Sequence, residues 1–249
     1  MKVLVPVKRV VDHNVRVRVN DSNTGIELNN VKMAMNPFDE IAVEAAIALK
    51  EQGKVKEVTA ISVGGKECES ELRHAMAMGA DNAVLIKCEQ PAEPLAVAKL
   101  LAAYCQESAC ELVIMGKQAI DDDCNQTGQM LAALMNCSQA TFASEIEIEG
   151  KDIKVTREVD GGLHTVAFEA PGIITTDLRL NTPRFVSLPN LMKAKRKTVE
   201  YKTAEEYGVD LSPKLEVLSV TSPPKRSGGQ MLDSVSELVD KLKSHKAVW

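Results

Sequence analysis

The 249-residue sequence predicts an α/β fold: a doubly wound, mainly parallel sheet with an antiparallel hairpin extension and a C-terminal helical arm. Three observations predict it. Over residues 1 to 136, short β-branched runs alternate with segments of helical period, and strands separated by helices of about ten residues or more form parallel βαβ units. From residue 141 the pattern changes to short, partly alternating strands split by Gly150 and Gly161-Gly162, which reads as an antiparallel meander. Near the end, the linker-like Ser222-Pro223-Pro224-Lys225-Arg226-Ser227-Gly228-Gly229 precedes an amphipathic segment.

The elements follow in order. Val3-Leu4-Val5-Pro6-Val7 suits a buried strand. Met35-Asn36-Pro37-Phe38-Asp39-Glu40 opens a helix, with Asn36 as its cap, Pro37 at the first helical position and acids at the positive end. Ile41, Ala45 and Leu49 give that helix an apolar stripe, and Gly53 lies just beyond it. Val58-Thr59-Ala60-Ile61-Ser62-Val63 is the next strand, closed by Gly64-Gly65; a helix over 67–78 then ends at Gly79. A strand at 83–86, a helix over 94–105, a strand at 112–115 ending on Gly116 and a helical segment over 126–135 complete the parallel half. The meander is predicted from 142–148, 153–159 and 164–168, followed by a short strand at 173–176 and a basic loop, Lys193-Ala194-Lys195-Arg196-Lys197. Residues 231–248 read as one helix with Leu232, Val235, Leu238, Val239 and Leu242 on one side. The expected organisation is an α/β nucleotide-binding domain over 1–221, with the meander at about 141–185, and a linker and arm over 222–249. The arm has two readings, docking on its own domain or grasping a partner.

Composition excludes several classes. Net charge −5 and an aromatic fraction of 3% provide neither a field that seeks phosphate backbones nor a stacking platform for bases, so no nucleic-acid partner is expected. No window approaches the ~18 consecutive apolar residues of a membrane helix, and Met1-Lys2-Val3-Leu4-Val5-Pro6-Val7 is too short for a signal peptide. A cytoplasmic location is expected, with the mitochondrial matrix as alternative. Cys68, Cys88, Cys105, Cys110, Cys124 and Cys137 show no CxxC pair and read as reduced thiols. Cys124 lies in an acidic loop, a poor setting for a catalytic thiolate. His13, His74, His164 and His245 are isolated from cysteine pairs, and Asp121-Asp122-Asp123 lacks the ligand spacing of a calcium loop, so no metal site is expected. Glu158-Val159-Asp160-Gly161-Gly162 reads as a tight turn with solvated acids, and no acid, base and nucleophile converge.

In doubly wound sheets ligands bind beyond the carboxyl ends of the strands. Three segments arrive there: Val7-Lys8-Arg9, Val63-Gly64-Gly65, and the stretch from Gly116 to Gly128. The last is the richest, with a glycine exit, a polar loop and Asn125, Gln126 and Thr127 where a helix begins; backbone N–H groups at such a start favour an anion. Neither GxGxxG nor GxxxxGK[ST] is present. Spacing alone is equally compatible with a bound phosphate and with a solvated loop.

Seven motifs then occur in register: Val7-Lys8-Arg9-Val10, Met35-Asn36-Pro37-Phe38, Ala75-Met76-Ala77-Met78-Gly79-Ala80-Asp81, Gly116-Lys117-Gln118-Ala119-Ile120-Asp121, Val155-Thr156-Arg157-Glu158-Val159-Asp160-Gly161-Gly162, Thr176-Asp177-Leu178-Arg179-Leu180-Asn181-Thr182-Pro183-Arg184-Phe185 and Leu188-Pro189-Asn190-Leu191-Met192-Lys193-Ala194-Lys195. The chain closely resembles the beta subunits of the electron transfer flavoprotein family over essentially its whole length. The resemblance implies an adenine nucleotide alpha hydrolase-like fold in an electron-carrier subunit, not an enzyme with catalytic residues of its own. It implies an obligate heterodimer with an alpha subunit that holds most of one FAD, and a structural AMP in the beta subunit. By that match AMP contacts Pro6, Asn36, Pro37, Phe38, Asp39, Val63, Gly116, Lys117, Gln118, Ala119, Ile120, Asp121, Asp122, Asp123, Cys124, Asn125, Gln126 and Thr127. His13 and Phe38 face the flavin; many relatives carry Tyr at the His13 position, and an imidazole offers less apolar surface.

The resemblance also implies a docking loop at 187–197, with Leu188 as apolar anchor beside Pro189, Asn190, Leu191, Met192, Lys193, Lys195, Arg196 and Lys197, for acyl-CoA dehydrogenases and related flavin dehydrogenases. From residue types alone, the basic run reads as a solvated loop; the resemblance reverses that. Electrons leave to a membrane-bound quinone oxidoreductase (ETF-quinone oxidoreductase), without insertion of this chain into the membrane. The flavin-bifurcating, NADH-linked branch carries a loop more like GRQAIDGDTAQVGP; Asp122-Asp123-Cys124-Asn125-Gln126-Thr127-Gly128 is bulkier and implies the AMP-containing type. A stand-alone adenine-nucleotide-binding hydrolase is the rival reading from another class.

Overall fold

β-Branched runs with little polar interruption build the central strands, which are buried on both faces, whereas the meander and the edge strand are partly exposed. In the computed structural model, which describes residues 1–226 and 228–245, β1 (Lys2–Pro6), β4 (Glu57–Gly64), β5 (Asn82–Lys87), β6 (Leu112–Gly116), β7 (Ser138–Glu149), β8 (Asp152–Val159), β9 (Gly162–Glu169), β10 (Gly172–Thr176) and β11 (Glu200–Thr203) form one nine-stranded sheet. Its order is β11-β5-β4-β1-β6-β10-β7-β8-β9. Every pairing from β11 to β7 is parallel, and β7-β8-β9 is an antiparallel meander. The α/β class with a mainly parallel sheet and a hairpin extension is as the sequence predicts.

The helices are α1 (Pro37–Glu51), α2 (Glu69–Met78), α3 (Pro94–Ser108), α4 (Thr127–Met135), α5 (Leu188–Arg196) and α6 (Val235–Ser244). Alternate side chains of each buried strand feed different cores. Val3 and Val5 pack with α1, α2 and Ala194 of α5, whereas Leu4 packs with α3 and α4. That division is what doubly wound means for a strand whose faces are both apolar. α1 shows why its sequence folds so: Pro37 starts it, Asp39 and Glu40 sit in its first turn, and Ile41, Ala42, Ala45, Ala46 and Leu49 are buried.

Several expectations are corrected. The basic loop at 193–197 is largely the last turn of helix α5, with Lys197 the residue just past it. The C-terminal helix begins at Val235 rather than 231, capped by the Ser234 hydroxyl accepting from the Glu237 N–H; Val248 and the linker residue Ser227 lie outside the described residues. The meander strand β7 starts at Ser138, and β10 returns to lie between β6 and β7. The sequence reading missed a short ribbon of β2 (Arg9–Val11) and β3 (Met33–Met35), and the edge strand β11. The chain divides into two compact units, one of Met1–Val17 with Glu27–Glu216, the other of Arg18–Ile26 with Val217–Trp249. The second unit thus includes a segment near the N-terminus, held by the Val19–Ile26 bridge and by Val220 N–H donating to Asn23 O at 2.8 Å.

Candidate functional site at the strand ends

The strand order reverses at β1: from there the chain goes to β4 and β5 on one side and to β6 on the other. The carboxyl ends of β1 and β6 therefore border the crevice where such sheets take ligands. Two side chains from the start of α1 hold these ends together. Asp39 accepts from the Lys8 N–H at 2.8 Å through one oxygen and from the Gly116 N–H at 3.1 Å through the other. Asn36 donates through Nδ2 to Gln118 O at 2.8 Å and accepts from the Ile120 N–H at 3.2 Å. The side chain expected to cap the helix is thus spent on the loop; only the Asn36 carbonyl serves α1, accepting from the Asp39 and Glu40 N–H groups.

Gly116 is required sterically. A Cβ there would lie 2.3 Å from Asp39 Oδ1 and 2.7 Å from Phe38 Cβ. Gly128 is similar, since a Cβ would come within 2.6 Å of Thr175 Cγ2. Thr176 adds another tie, its hydroxyl donating to Phe38 O at 3.0 Å and lying 3.3 Å from Met115 O. Burial pushes the Asp39 carboxyl up to about 7, against the pull of the Lys8 N–H, the Asn36 amide and the Gly116 N–H.

The loop beyond Gly116 is polar and largely exposed from Asp121 to Cys124. Asp123 and Asn125 both adopt left-handed backbone, at φ 49° each, which a short polar side chain tolerates. The Asp123 N–H donates to Ala119 O at 2.9 Å, Gln118 Nε2 to Asp123 Oδ1 at 2.8 Å, and the Cys124 N–H to Asp122 Oδ1 at 3.1 Å. Lys8 Nζ lies 2.8 Å from Asp121 and 2.9 Å from Asp122; burial pulls this ammonium down, but the two aspartates outweigh it and hold it above its usual value. Burial and Asp122 push the Cys124 thiol up, so the sulfur is a weak nucleophile. The side chains here are net acidic, and the pull on an anion is left to backbone N–H groups. The first turn of α4 supplies them at Thr127, Gly128 and Gln129, whose N–H groups precede the first intrahelical donor. Gln129 donates to Asn125 Oδ1 at 3.0 Å while its Oε1 is buried without a partner among the described residues.

Of the predicted nucleotide residues, the structure brings Pro6 at the end of β1, Asn36 to Asp39 and Gly116 to Thr127 to one junction. Val63 lies near the end of the neighbouring β4, half-buried. Lys117 faces a different set: its Nζ is 2.6 Å from Asp177 and sits 5.3 Å from the Phe38 ring and 5.1 Å from the Phe142 ring. Asp177, within one of the motifs, and Phe142, at the start of a predicted strand, are not among the site residues the sequence predicts. Phe142 adopts φ 60°, a strained value for a bulky residue, and its N–H donates to Thr175 Oγ1 at 3.2 Å. No periodic pattern announces such a position. Phe38 is buried, whereas His13 is exposed on the turn after β2, with Nε2 3.1 Å from Asn14 Nδ2.

The anchor residues form a separate group on α5, which packs on α2. Ala194 is the one buried residue of that helix, and Leu188, at 71% exposed, and Met192 stand out from it. Pro189, Asn190, Lys193, Lys195, Arg196 and Lys197 are exposed, and Leu191 is half-buried against the core. Phe185, just before the helix, is almost fully exposed. Among the described residues no cluster of His, Cys, Asp and Glu fits a metal ion, and no helix is long and apolar enough to cross a membrane.

Residues 24–207 match the electron transfer flavoprotein domain. Over the full length of both chains the sequence is 59% identical to the electron transfer flavoprotein subunit beta of Bradyrhizobium diazoefficiens. It is 53% identical, also over the whole of both chains, to the mitochondrial subunit beta of Oryza sativa subsp. japonica. The human subunit beta is 49% identical over 98% of this chain and 97% of its own length.

Proposed function

The chain belongs to the electron transfer flavoprotein family as a beta subunit, and from that premise we propose that it holds a structural AMP at the β1/β6 junction and completes the flavin site of an alpha subunit. The junction is the observation that carries the reading. Asn36 and Asp39 fix the exits of two strands and leave the α4 N-terminus, with its free N–H donors, turned to the polar loop. The donor set fits a nucleotide monophosphate: the free backbone N–H groups of the first turn of α4 suit a phosphate. It fits a P-loop triphosphate poorly, because the loop carries three aspartates, its one lysine, Lys117, is engaged by Asp177, and Lys8 at the end of β1 is engaged by Asp121 and Asp122. AMP that binds only the folded chain stabilises it by mass action.

In this reading FAD, when bound, takes up and releases electrons, and the protein positions it and tunes its surroundings. Phe38 and His13 are this chain's contribution to its face. Acyl-CoA dehydrogenases and related flavin dehydrogenases dock on α5 through Leu188 and Met192, with Lys193, Lys195 and Arg196 beside them. A small apolar anchor with a charged rim suits brief encounters, as a carrier that alternates between a dehydrogenase and a quinone oxidoreductase requires. The bacterial relative supports a cytoplasmic place of work in this reading, and the mitochondrial name of the Oryza sativa relative supports the matrix as the alternative.

Acid extraction of the purified heterodimer followed by chromatography tests the assignment. One FAD and one AMP per heterodimer are expected. Two FAD and no AMP would overturn it in favour of the flavin-bifurcating type.

A further inference from the structure

We propose that Arg73 of α2 is the positioning residue that keeps α5 in its docking form; the inference rests on the reading of α5 as the dehydrogenase anchor. At nine residues α5 is shorter than the ~12–15 at which a helix becomes even marginal alone in water. Its own sequence gives it little support. Ser187 makes no side-chain cap bond and Ala194 alone is fully buried, so Pro189 at its start and the basic residues Lys193, Lys195 and Arg196 at its negative end are the only local aids, each a small one. A tertiary contact has to hold it.

That contact is the Arg73 guanidinium. The two N–H groups of its Nη1 are shared among three carbonyls at the C-terminal end of the helix: Ala194 O at 2.8 Å, Lys195 O at 3.0 Å and Lys197 O at 3.1 Å. Ala194 O already accepts from the Lys197 N–H at 3.1 Å, so the guanidinium reinforces that cap and adds a donor for Lys195 O and Lys197 O, and a cation there also opposes the negative end of the dipole. The other edge of the guanidinium, Nε and Nη2, is held by Glu69 one turn earlier on α2, and the Tyr201 hydroxyl donates to the same carboxylate. The arrangement is reciprocal. Lys197, just past α5, sends its ammonium back to Ala80 O at 3.0 Å, just past the end of α2. Each helix thus satisfies carbonyls at the end of the other, and the exposed row of Leu188 and Met192 is presented by a helix that is already formed. Preorganisation of this kind acts on affinity, because a frayed helix must be ordered in every encounter. A lysine cannot replace the arginine fully, since one ammonium lacks the two-edged fork that serves the carbonyl fan and Glu69 together.

The test uses the intact FAD-loaded heterodimer with an acyl-CoA dehydrogenase as electron donor. Arg73→Ala is expected to raise the KM of the dehydrogenase for the carrier about tenfold, with kcat within about twofold and the flavin midpoint potential unchanged. Arg73→Lys is expected to recover about half of that loss on a logarithmic scale. Trypsin should cut after Lys193, Lys195, Arg196 and Lys197 at least about tenfold faster in Arg73→Ala, as expected when local protection is lost. An unchanged KM or an unchanged cleavage rate overturns the proposal. So does a joint fall of kcat and FAD content, which marks general damage to the fold. Leu188→Ala separates the two levels: if it raises KM while Arg73→Ala does not, only the role of Arg73 fails, and if neither does, the docking reading fails with it.

Discussion

The strand-end loop at 116–127 and helix α5 are held in opposite ways. The loop takes its shape from buried side chains beneath it: Asp39 ties the Lys8 and Gly116 N–H groups at the ends of two strands far apart in sequence, and Asn36 holds Gln118 O and the Ile120 N–H within the loop. The helix is gripped at its C-terminal end by Arg73 and keeps Leu188 and Met192 in water. The first arrangement spends polar groups on internal precision, and its loss is felt as stability. The second leaves apolar surface for something else to cover, and its loss is felt in encounters. In the proposed function, a structural cofactor and a transient partner thus ask different things of one fold.

Substitutions can break this contrast. The largest effect is expected at Gly116→Ala, where the new Cβ meets Asp39 and the Phe38 backbone; about 3 kcal/mol or more of stability should be lost, or folded heterodimer not recovered. A wild-type denaturation midpoint would sink the argument that the loop is seated on these groups. Asn36→Ala removes two bonds to the loop in a buried site and should cost about 2–3 kcal/mol in urea unfolding, together with AMP lost on gel filtration. Loss of stability with AMP fully retained would detach the nucleotide from this junction.

Asp39 sharpens the contrast through pH. Its carboxyl stands near 7 in the fold, above its unfolded value, so the folded state binds more protons between about pH 4 and 7. The stabilisation is fully present below that window, is lost as pH rises through 7, and is flat above; the slope approaches ~1.4 kcal/mol per pH unit. The difference in unfolding free energy between wild type and Asp39→Asn should follow that curve. A difference independent of pH would show that the N–H donors keep Asp39 ionised throughout. The smallest effect on stability belongs to Leu188→Ala, which should leave it within ~0.5 kcal/mol because the side chain is already in water. The same change should slow reduction by an acyl-CoA dehydrogenase about tenfold at low carrier concentration. Unchanged reduction kinetics would remove Leu188 from the docking surface.

Much of the parallel half was legible because buried strands such as Val3-Leu4-Val5 and Leu112-Val113-Ile114 are apolar runs punctuated by Gly and Pro, and α1 declares itself through Asn36-Pro37 and the Ile41 stripe. The ribbon of β2 and β3 was not, since three residues a side show no period and their pairing spans a long loop. Helix α5 read as a loop because its charged last turn hides a weak apolar pattern that only Ala194 and Leu191 satisfy. The strand ends that gather the site were visible from topology alone. The roles of Asn36 and Asp39 as ties were not, because hydrogen bonds between residues 36 and 118 or 39 and 116 leave no local trace. The cage around Lys117 likewise depends on the left-handed Phe142, a backbone state that no side-chain pattern encodes.

The place of β10 bears on how the chain is made. β6 ends at Gly116, yet the strand that covers its outer side, β10, finishes only at Thr176, after the whole meander. On a ribosome emitting ~5–20 residues per second, roughly sixty residues must follow before that edge is paired, which is several seconds of exposure. An open apolar edge is a template for foreign strands. Late insertion of a five-residue strand between two others also places a non-local pairing at the end of folding, the step that topology makes slowest. Nascent chains stalled inside the meander should therefore be the ones that chaperones retain, and those stalled after Thr176 the ones they release.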